Sequence, residues 1–298
     1  HTHPSITGVT AAWGTHLNAA EDNADKTITI TTSGAEDGQT VTTTINSVTD
    51  TCTVNTNTCT ITYAASDMAS LSSGTSYTIA VDVSDAATNA ATQNTGTSFI
   101  YDPTLPTISS IAVTGVTSGQ YGNSGTYTVV VTASETLAAA PTLTLSGGSV
   151  GSGSGSTSDT VWTYTFTPTD ADESVTIDVG AGAITDSAGN VNTATPTQFA
   201  FTHDATAPTA SAVTIAVSGT GNANNGDVVT LTIDPSEAIG APTCTWTDGS
   251  GAMEDTSVTY DTVDGTDHHT AAVTVADADQ DGTVGFSCTF SDLAGNAV

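Results

Sequence analysis

Tyr101-Asp102-Pro103-Thr104-Leu105-Pro106-Thr107 decides how this chain is divided. The stretch recurs, altered, as His203-Asp204-Ala205-Thr206-Ala207-Pro208-Thr209, and a broken third copy, His3-Pro4-Ser5, lies at the start. Asp102 and Asp204 are about one hundred residues apart, and a period of that size sets the architecture before any local structure is read. The segments around them are the joints between similar units. The residues after each joint repeat too. Glu135, in Ala133-Ser134-Glu135, stands as far from Asp102 as Glu237, in Pro235-Ser236-Glu237, stands from Asp204. Thr185-Asp186-Ser187-Ala188-Gly189-Asn190 then matches Ser291-Asp292-Leu293-Ala294-Gly295-Asn296, with Ser84-Asp85-Ala86-Ala87-Thr88-Asn89 as a weaker third copy.

With 298 residues, this period gives three domains of about 100 residues each, an ordinary domain size. They run 1–102, 103–204 and 205–298, the last with its final strand missing or truncated. Apolar alternation is present throughout, which marks a folded chain. The charge is extreme: one basic residue, Lys26, against 31 acidic ones, a formal net charge of −30. Nucleic acid and anionic lipid surfaces both need Lys or Arg and are therefore poor partners; neither nucleic acid binding nor direct membrane insertion is expected. No apolar run reaches the roughly 20 residues of a membrane helix. The acids call either for screening by external salt or for bound divalent cations, and both fit an extracellular, marine or saline, prokaryotic setting. Solubility alone is the plainer alternative. The four cysteines fall in pairs within domains, Cys52 with Cys59 and Cys244 with Cys288. Two disulfides and an oxidising compartment are expected, with free buried thiols as the alternative.

Strand patterns recur at short intervals. Thr27–Thr31, Thr40–Ile45, Cys59–Tyr63 and Tyr77–Val83 alternate in the first domain. The second has Tyr127–Val131, Thr142–Leu145, Val161–Phe166, Ser174–Val179 and Phe199–Phe201. The third has Val228–Ile233, Thr243–Trp246, Ala271–Val275 and Val284–Phe290. Asp67–Leu71 suits a single helical turn, and Gly147–Ser156 reads as a flexible exposed loop. Strands of four to seven residues between turn signals predict an all-β fold, a β-sandwich in each domain.

Trp13-Gly14-Thr15-His16-Leu17-Asn18, Gly34-Ala35-Glu36-Asp37-Gly38-Gln39-Thr40, the Asp-x-Ala-Gly-Asn turns and the Asp-x-Thr-x-Pro-Thr joints together resemble the bacterial Ig-like repeats of giant surface adhesins and related cell-surface proteins. The similarity covers essentially the whole chain. It implies tandem immunoglobulin-like sandwiches used as stalk modules, often with calcium at the joints. The first domain departs from the pattern: Asn89 lacks a preceding glycine and the first joint aspartate is missing.

In an immunoglobulin-like sandwich the joint enters beside the B–C and F–G loops. Asp102 then converges with Glu135 and Asp186, and Asp204 with Glu237 and Asp292; Glu36 and Asp85 are the first domain's counterparts. Three carboxylates with main-chain carbonyls and water supply the six to eight oxygens that Ca²⁺ takes. Without a cation they would repel one another, and at least one pKa should rise. The alternative is that the aspartates only cap turns. Asp277-Ala278-Asp279-Gln280-Asp281-Gly282 opens like an EF-hand loop but has Cys288 where the bidentate Glu belongs, so it reads as an acidic corner, as do Asp170, Asp172 and Glu173. His1 and His3 resemble a metal-binding amino terminus, which a fragment boundary explains equally well, and His268-His269 reads as a solvated loop pair. No ordering of catalytic side chains points to an enzyme. The expected role is structural: a calcium-stiffened spacer of a large cell-surface protein, partnered by neighbouring domains of the same or identical chains. A surface-layer or filament subunit assembling laterally or by strand donation is one alternative. A module binding a surface glycan or cell partner is the other.

Overall fold

A computed structural model describes residues 3–156, 159–193, 198–253, 258–263 and 268–298; His1 lies outside them. The regular structure among the described residues is nearly all strand, and their buried apolar side chains gather into three hydrophobic cores that share no residue.

The first core lies between two sheets. One has the order Ser5–Ala11, Lys26–Ser33, Thr58–Tyr63; the other runs His16–Asn18, Asn94–Asp102, Thr75–Val83, Thr40–Ile45, Val48–Thr53. Successive side chains of a strand point to opposite faces. Lys26–Ser33 therefore buries Ile28 and Ile30 and turns Thr29 and Thr31 out, and Thr75–Val83 buries Ile79, Val81 and Val83. His16–Asn18 runs parallel to Asn94–Asp102 and sets Asn18 opposite Asp102. Apart from this parallel edge the two facing sheets are antiparallel, the arrangement of an immunoglobulin-like sandwich.

The second core repeats the plan. One sheet is Ile108–Val113, Tyr127–Ala133, Val161–Thr167 and Ser149–Val150; the other is Tyr121–Gly122, Phe199–Asp204, Asp172–Asp178 and Thr144–Ser146. Tyr121–Gly122 lies parallel to Phe199–Asp204, the counterpart of His16–Asn18. In the third core, one sheet is Ala210–Val217, Val228–Pro235, His268–Thr274 and Thr259–Val263. The facing sheet has two strands, Thr243–Thr247 and Gly285–Thr289.

Several local expectations change. Gly147–Ser156 is no free loop. Gly151 N donates to Thr165 O, and Ser154 and Thr163 exchange main-chain hydrogen bonds. The glycines let this strap lie against rings: a Cβ on Gly148 would stand 2.3 Å from Phe166, one on Gly153 2.7 Å from Tyr164, and one on Gly155 2.7 Å from Trp162. His268 and His269 open a strand rather than a loop. Strand pairing buries His269 and sets His268 Nδ1 against Asp234. The strand expected at Thr142 starts at Thr144. A four-residue helix, Ala19–Asp22, is an addition, closed by a capping box between Asn18 and Glu21. Lys26 is buried, its Nζ donating to Asp22 O and Ala24 O just past that helix. Loss of water lowers its pKa, against the pull of Asp22, Asp25 and Glu21.

Both disulfides form. Cys52–Cys59 joins an edge strand of one sheet to the facing sheet, and Cys244–Cys288 ties two directly opposed residues of neighbouring strands.

Candidate metal sites at the joints

Each joint is built from three pieces of chain. Asp102 and Asp204 are the last residues of their strands. Each then bends the chain locally: Thr104 N donates to Asp102 Oδ1 and Thr206 N to Asp204 Oδ1, both at 3.2 Å, the turn that a short carboxylate makes with the amide two residues on. Farther on, the joint is fastened to the loop that carries the glutamate. Thr107 N donates to Ser134 Oγ, and Thr209 N to Ser236 Oγ, both at 2.9 Å. Ser134 N and Ser236 N donate back to Thr107 O and Thr209 O. Glu135 and Glu237 are the next residues.

The third piece is the Asp-x-Ala-Gly-Asn turn. Asp186 Oδ1 accepts from Ala188 N and Asn190 N, and Asp186 Oδ2 accepts from Asn190 Nδ2. Asp292 takes the same two bonds from Asn296. Gly189 and Gly295 occupy the left-handed region that glycine reaches without strain, at φ 88° and 93°. Isolated bridges Leu137–Asp186 and Ile239–Asp292 tie this turn to the glutamate loop.

The result is two matched groups. Asp102, Glu135 and Asp186 offer carboxylate oxygens within 4.8 Å of one another, and so do Asp204, Glu237 and Asp292. Asp186, Asp204 and Asp292 are buried. The cost of burying carboxylates side by side shows on both glutamates and on Asp204. Burial, then Asp102 and Asp186, pushes Glu135 from 4.5 to about 7. Burial, then Asp204, Asp292 and Asp172, raises Glu237 as well. Hard oxygen donors packed this closely, with lone pairs unused by the turn, are the donor set of Ca²⁺.

The joints differ at one position. Asp172 lies opposite Asp204 in the strand pairing, and its Oδ2 accepts from the Thr206 hydroxyl at 2.8 Å. That hydrogen bond is the main cause that holds Asp172 below the usual range, while burial, with the nearby Asp292 and Asp172, raises Asp204. At the first joint the place belongs to Ser73, whose Oγ lies 3.3 Å from Asp102 Oδ1 and 3.0 Å from Thr104 Oγ1. The second joint thus carries a fourth carboxylate.

Glu36 and Asp85 meet at the corresponding turn of the first core, where Glu36 Oε2 accepts from Ala86 N. Asp85 accepts from Asn89 N and Nδ2, and the Asn89 side chain is the main cause that lowers its pKa. Thr88 sits at φ 67° where the other copies have glycine. No third carboxylate joins them among the described residues. Asp277, Asp279 and Asp281 form no such group either; Asp279 Oδ2 closes its own turn by accepting from Ala276 N.

Asparagines that the repeat spacing does not single out as ligands span the joints. Asn18 Nδ2 donates to Ala188 O, and Ala19 N donates to Asn190 Oδ1 at 2.7 Å. At the second joint Asn123 Nδ2 donates to Asn296 Oδ1 at 3.2 Å. The available signal was the capping-box spacing Asn18-x-x-Glu21.

No protein-family model matches the chain, and no curated protein matches it by sequence. Solved structures similar to it include repeat domains of bacterial adhesins. One belongs to a 1.5-MDa bacterial ice-binding adhesin, at 24% identity over 99% of this chain and 94% of that one, with a TM-score of 0.46. Another is a Ca²⁺-stabilised adhesin of an Antarctic bacterium that binds ice, at 24% identity over 100% and 71%, TM-score 0.38. A third is a tetra-tandem repeat from the extending region of a large adhesion protein, at 19% identity over 99% and 71%, TM-score 0.31.

Proposed function

We propose that the chain is a non-enzymatic structural segment of a large extracellular surface protein, a spacer of the adhesin-stalk kind. Its modules are 1–102, 103–204 and 205–298, and Ca²⁺ at their two joints holds neighbours in fixed orientation. The observation that carries this reading is the make-up of each trio: one carboxylate comes from the strand that ends one module and two come from loops of the next, within 4.8 Å. A cation bound there ties the two modules together and offsets both the burial and the repulsion from Asp102 and Asp186 that push Glu135 to about 7. The side chains that would hold it are Asp102, Glu135 and Asp186 at the first joint and Asp204, Glu237 and Asp292 at the second. Asp172 adds charge at the second. Glu36 and Asp85 would form the receiving half of a joint of the same kind.

The two disulfides support an oxidising, extracellular location. No helix among the described residues is long and apolar enough to cross a membrane. Trp13, Trp162 and Trp246 are all buried, which removes the indole platform on which a glycan-binding reading would rest. Calorimetric titration with Ca²⁺ tests the assignment. The unmodified chain should bind two ions. Asp186→Asn should lose the first site and keep the second, and Asp292→Asn the reverse. Unchanged binding in both variants would refute it.

A further inference from the structure

The third core is built like the first two except along one side. In the first, Asn94–Asp102 pairs antiparallel with Thr75–Val83 and buries Phe99 and Tyr101. In the second, Phe199–Asp204 pairs antiparallel with Asp172–Asp178 and buries Phe199, Phe201 and His203. The corresponding inner strand of the third core is Gly285–Thr289. It pairs with Thr243–Thr247 on one edge, and among the described residues no strand lies along its other edge.

The side chains register the gap. Ile111 and Val113 face Val131 and Val129 across their strand pair, as Val213 and Ile215 face Ile233 and Leu231. Ile111 and Val113 are 9% and 5% exposed, whereas Val213 and Ile215 are 45% and 50% exposed. Phe286, on the unpaired strand, is 43% exposed. A cavity of about 740 Å³, with Val217, Val229 and Met253 on its core side and Asp248, Asp277 and Asp281 among the polar residues that make up most of its lining, opens at the end of this core where Val228–Pro235 begins. At the same end of the second core, where Tyr127–Ala133 begins, His203 Nδ1 lies 2.9 Å from Tyr127 Oη and fills the space.

We propose that this face is the acceptor for one further β-strand, seated antiparallel on the free edge of Gly285–Thr289 with its inward side chains over Val213, Ile215 and Phe286. The chain itself shows the chemistry of the occupant twice: aromatic rings at alternate positions, then aspartate, as in Phe99-Ile100-Tyr101-Asp102 and Phe199-Ala200-Phe201-Thr202-His203-Asp204. Main-chain hydrogen bonds to the open edge supply the pairing, and the rings entering the groove and cavity supply the selectivity. A second copy of this chain does not provide the strand, because its own segments of this pattern are buried in their own cores. The incoming aspartate would stand where Asp102 and Asp204 stand, but strand uptake itself requires no cation.

The test is hydrogen exchange of the full chain with a synthetic peptide carrying the sequence of residues 198–209. Exchange at Gly285–Thr289 should slow by about tenfold or more, as expected when an open edge becomes a paired strand. The same peptide with Phe199→Ser and Phe201→Ser should leave exchange unchanged. A second arm joins the same twelve residues after Val298 through a Gly/Ser linker, which raises the local concentration of the strand; the third core should then melt at higher temperature. No protection from either the peptide or the tethered strand overturns the proposal. Protection of Gly285–Thr289 in the chain alone, accompanied by dimerisation in sedimentation, overturns it too, since the face would then be a contact between copies.

Discussion

Asn190 reaches across the first joint to Asp102: its Nδ2 donates to the Asp102 main-chain oxygen at 2.8 Å while also holding Asp186 Oδ2 at 2.9 Å. Asn296 repeats this with Asp204 O and Asp292 at 2.9 and 2.8 Å. One amide thus fixes both the carboxylate of the turn and the end of the preceding strand. The candidate cation sites are therefore shaped before any ion arrives.

Replacing Asn190 tests that preorganisation. Asn190→Ala removes the Asn190 hydrogen bond from buried Asp186 Oδ2 and from the half-buried Asp102 O and Ala19 N, and a stranded buried polar group costs about 1–3 kcal/mol. The variant should melt lower and bind Ca²⁺ more weakly at the first joint, with the second joint untouched. Melting and calorimetric titration read the two effects.

The raised glutamates predict the pH dependence of the metal-free chain. Glu135 ionises at about 7 in the folded protein, against 4.5 ordinarily. The folded state therefore holds more protons in that window, and stability falls as pH rises through it, with no further change from this group outside. Glu237 and Asp204 shift in the same direction. The melting temperature in chelator should fall between about pH 4.5 and about pH 7, and Glu135→Gln should flatten part of that fall. Calcium competes with the same protons, so its stabilisation should grow with pH over the same window.

The joints should also differ in affinity. Asp172 adds a carboxylate that Ser73 cannot, and ligand charge sets Ca²⁺ affinity. Asp172→Ser should weaken the second site by about tenfold, and Ser73→Asp should strengthen the first. Titration of each single variant against the unmodified chain measures both.

The glycine strap gives a stability test far from the joints. Gly148 sits at φ 62° with no room for a methyl group beside Phe166. Gly148→Ala should therefore destabilise the second core by about 1–3 kcal/mol through overpacking and backbone strain. Melting of the variant with calcium present isolates this from the joints.

The legible part of the fold and of the joints depends on the kind of signal each residue leaves. Asp102, Glu135 and Asp186, and their second copies, are legible because repeat spacing fixes equivalent positions, and an immunoglobulin-like order of strands brings the joint to the B–C and F–G loops. Strands with Val or Ile at alternate positions, such as Thr75–Val83, are legible by periodicity. Asn94–Asp102 is hidden because its first half, Asn94-Thr95-Gly96-Thr97, is polar and carries no apolar alternation. Asp172 reads as part of an acidic corner because its approach to Asp204 depends on strand register, which composition does not reveal. Gly147–Ser156 has the composition of a linker, and the rings that hold it lie on Val161–Thr167, after the glycines in sequence.

Small-angle scattering during a calcium titration at low salt tests the central claim most directly. With two joint sites filled, the chain should become longer and stiffer, saturating at two ions, and Asp186→Asn should abolish the part that comes from the first joint. A scattering profile that ignores calcium, or that changes equally with sodium chloride alone, would contradict calcium at the joints and leave the carboxylates as charge that salt merely screens.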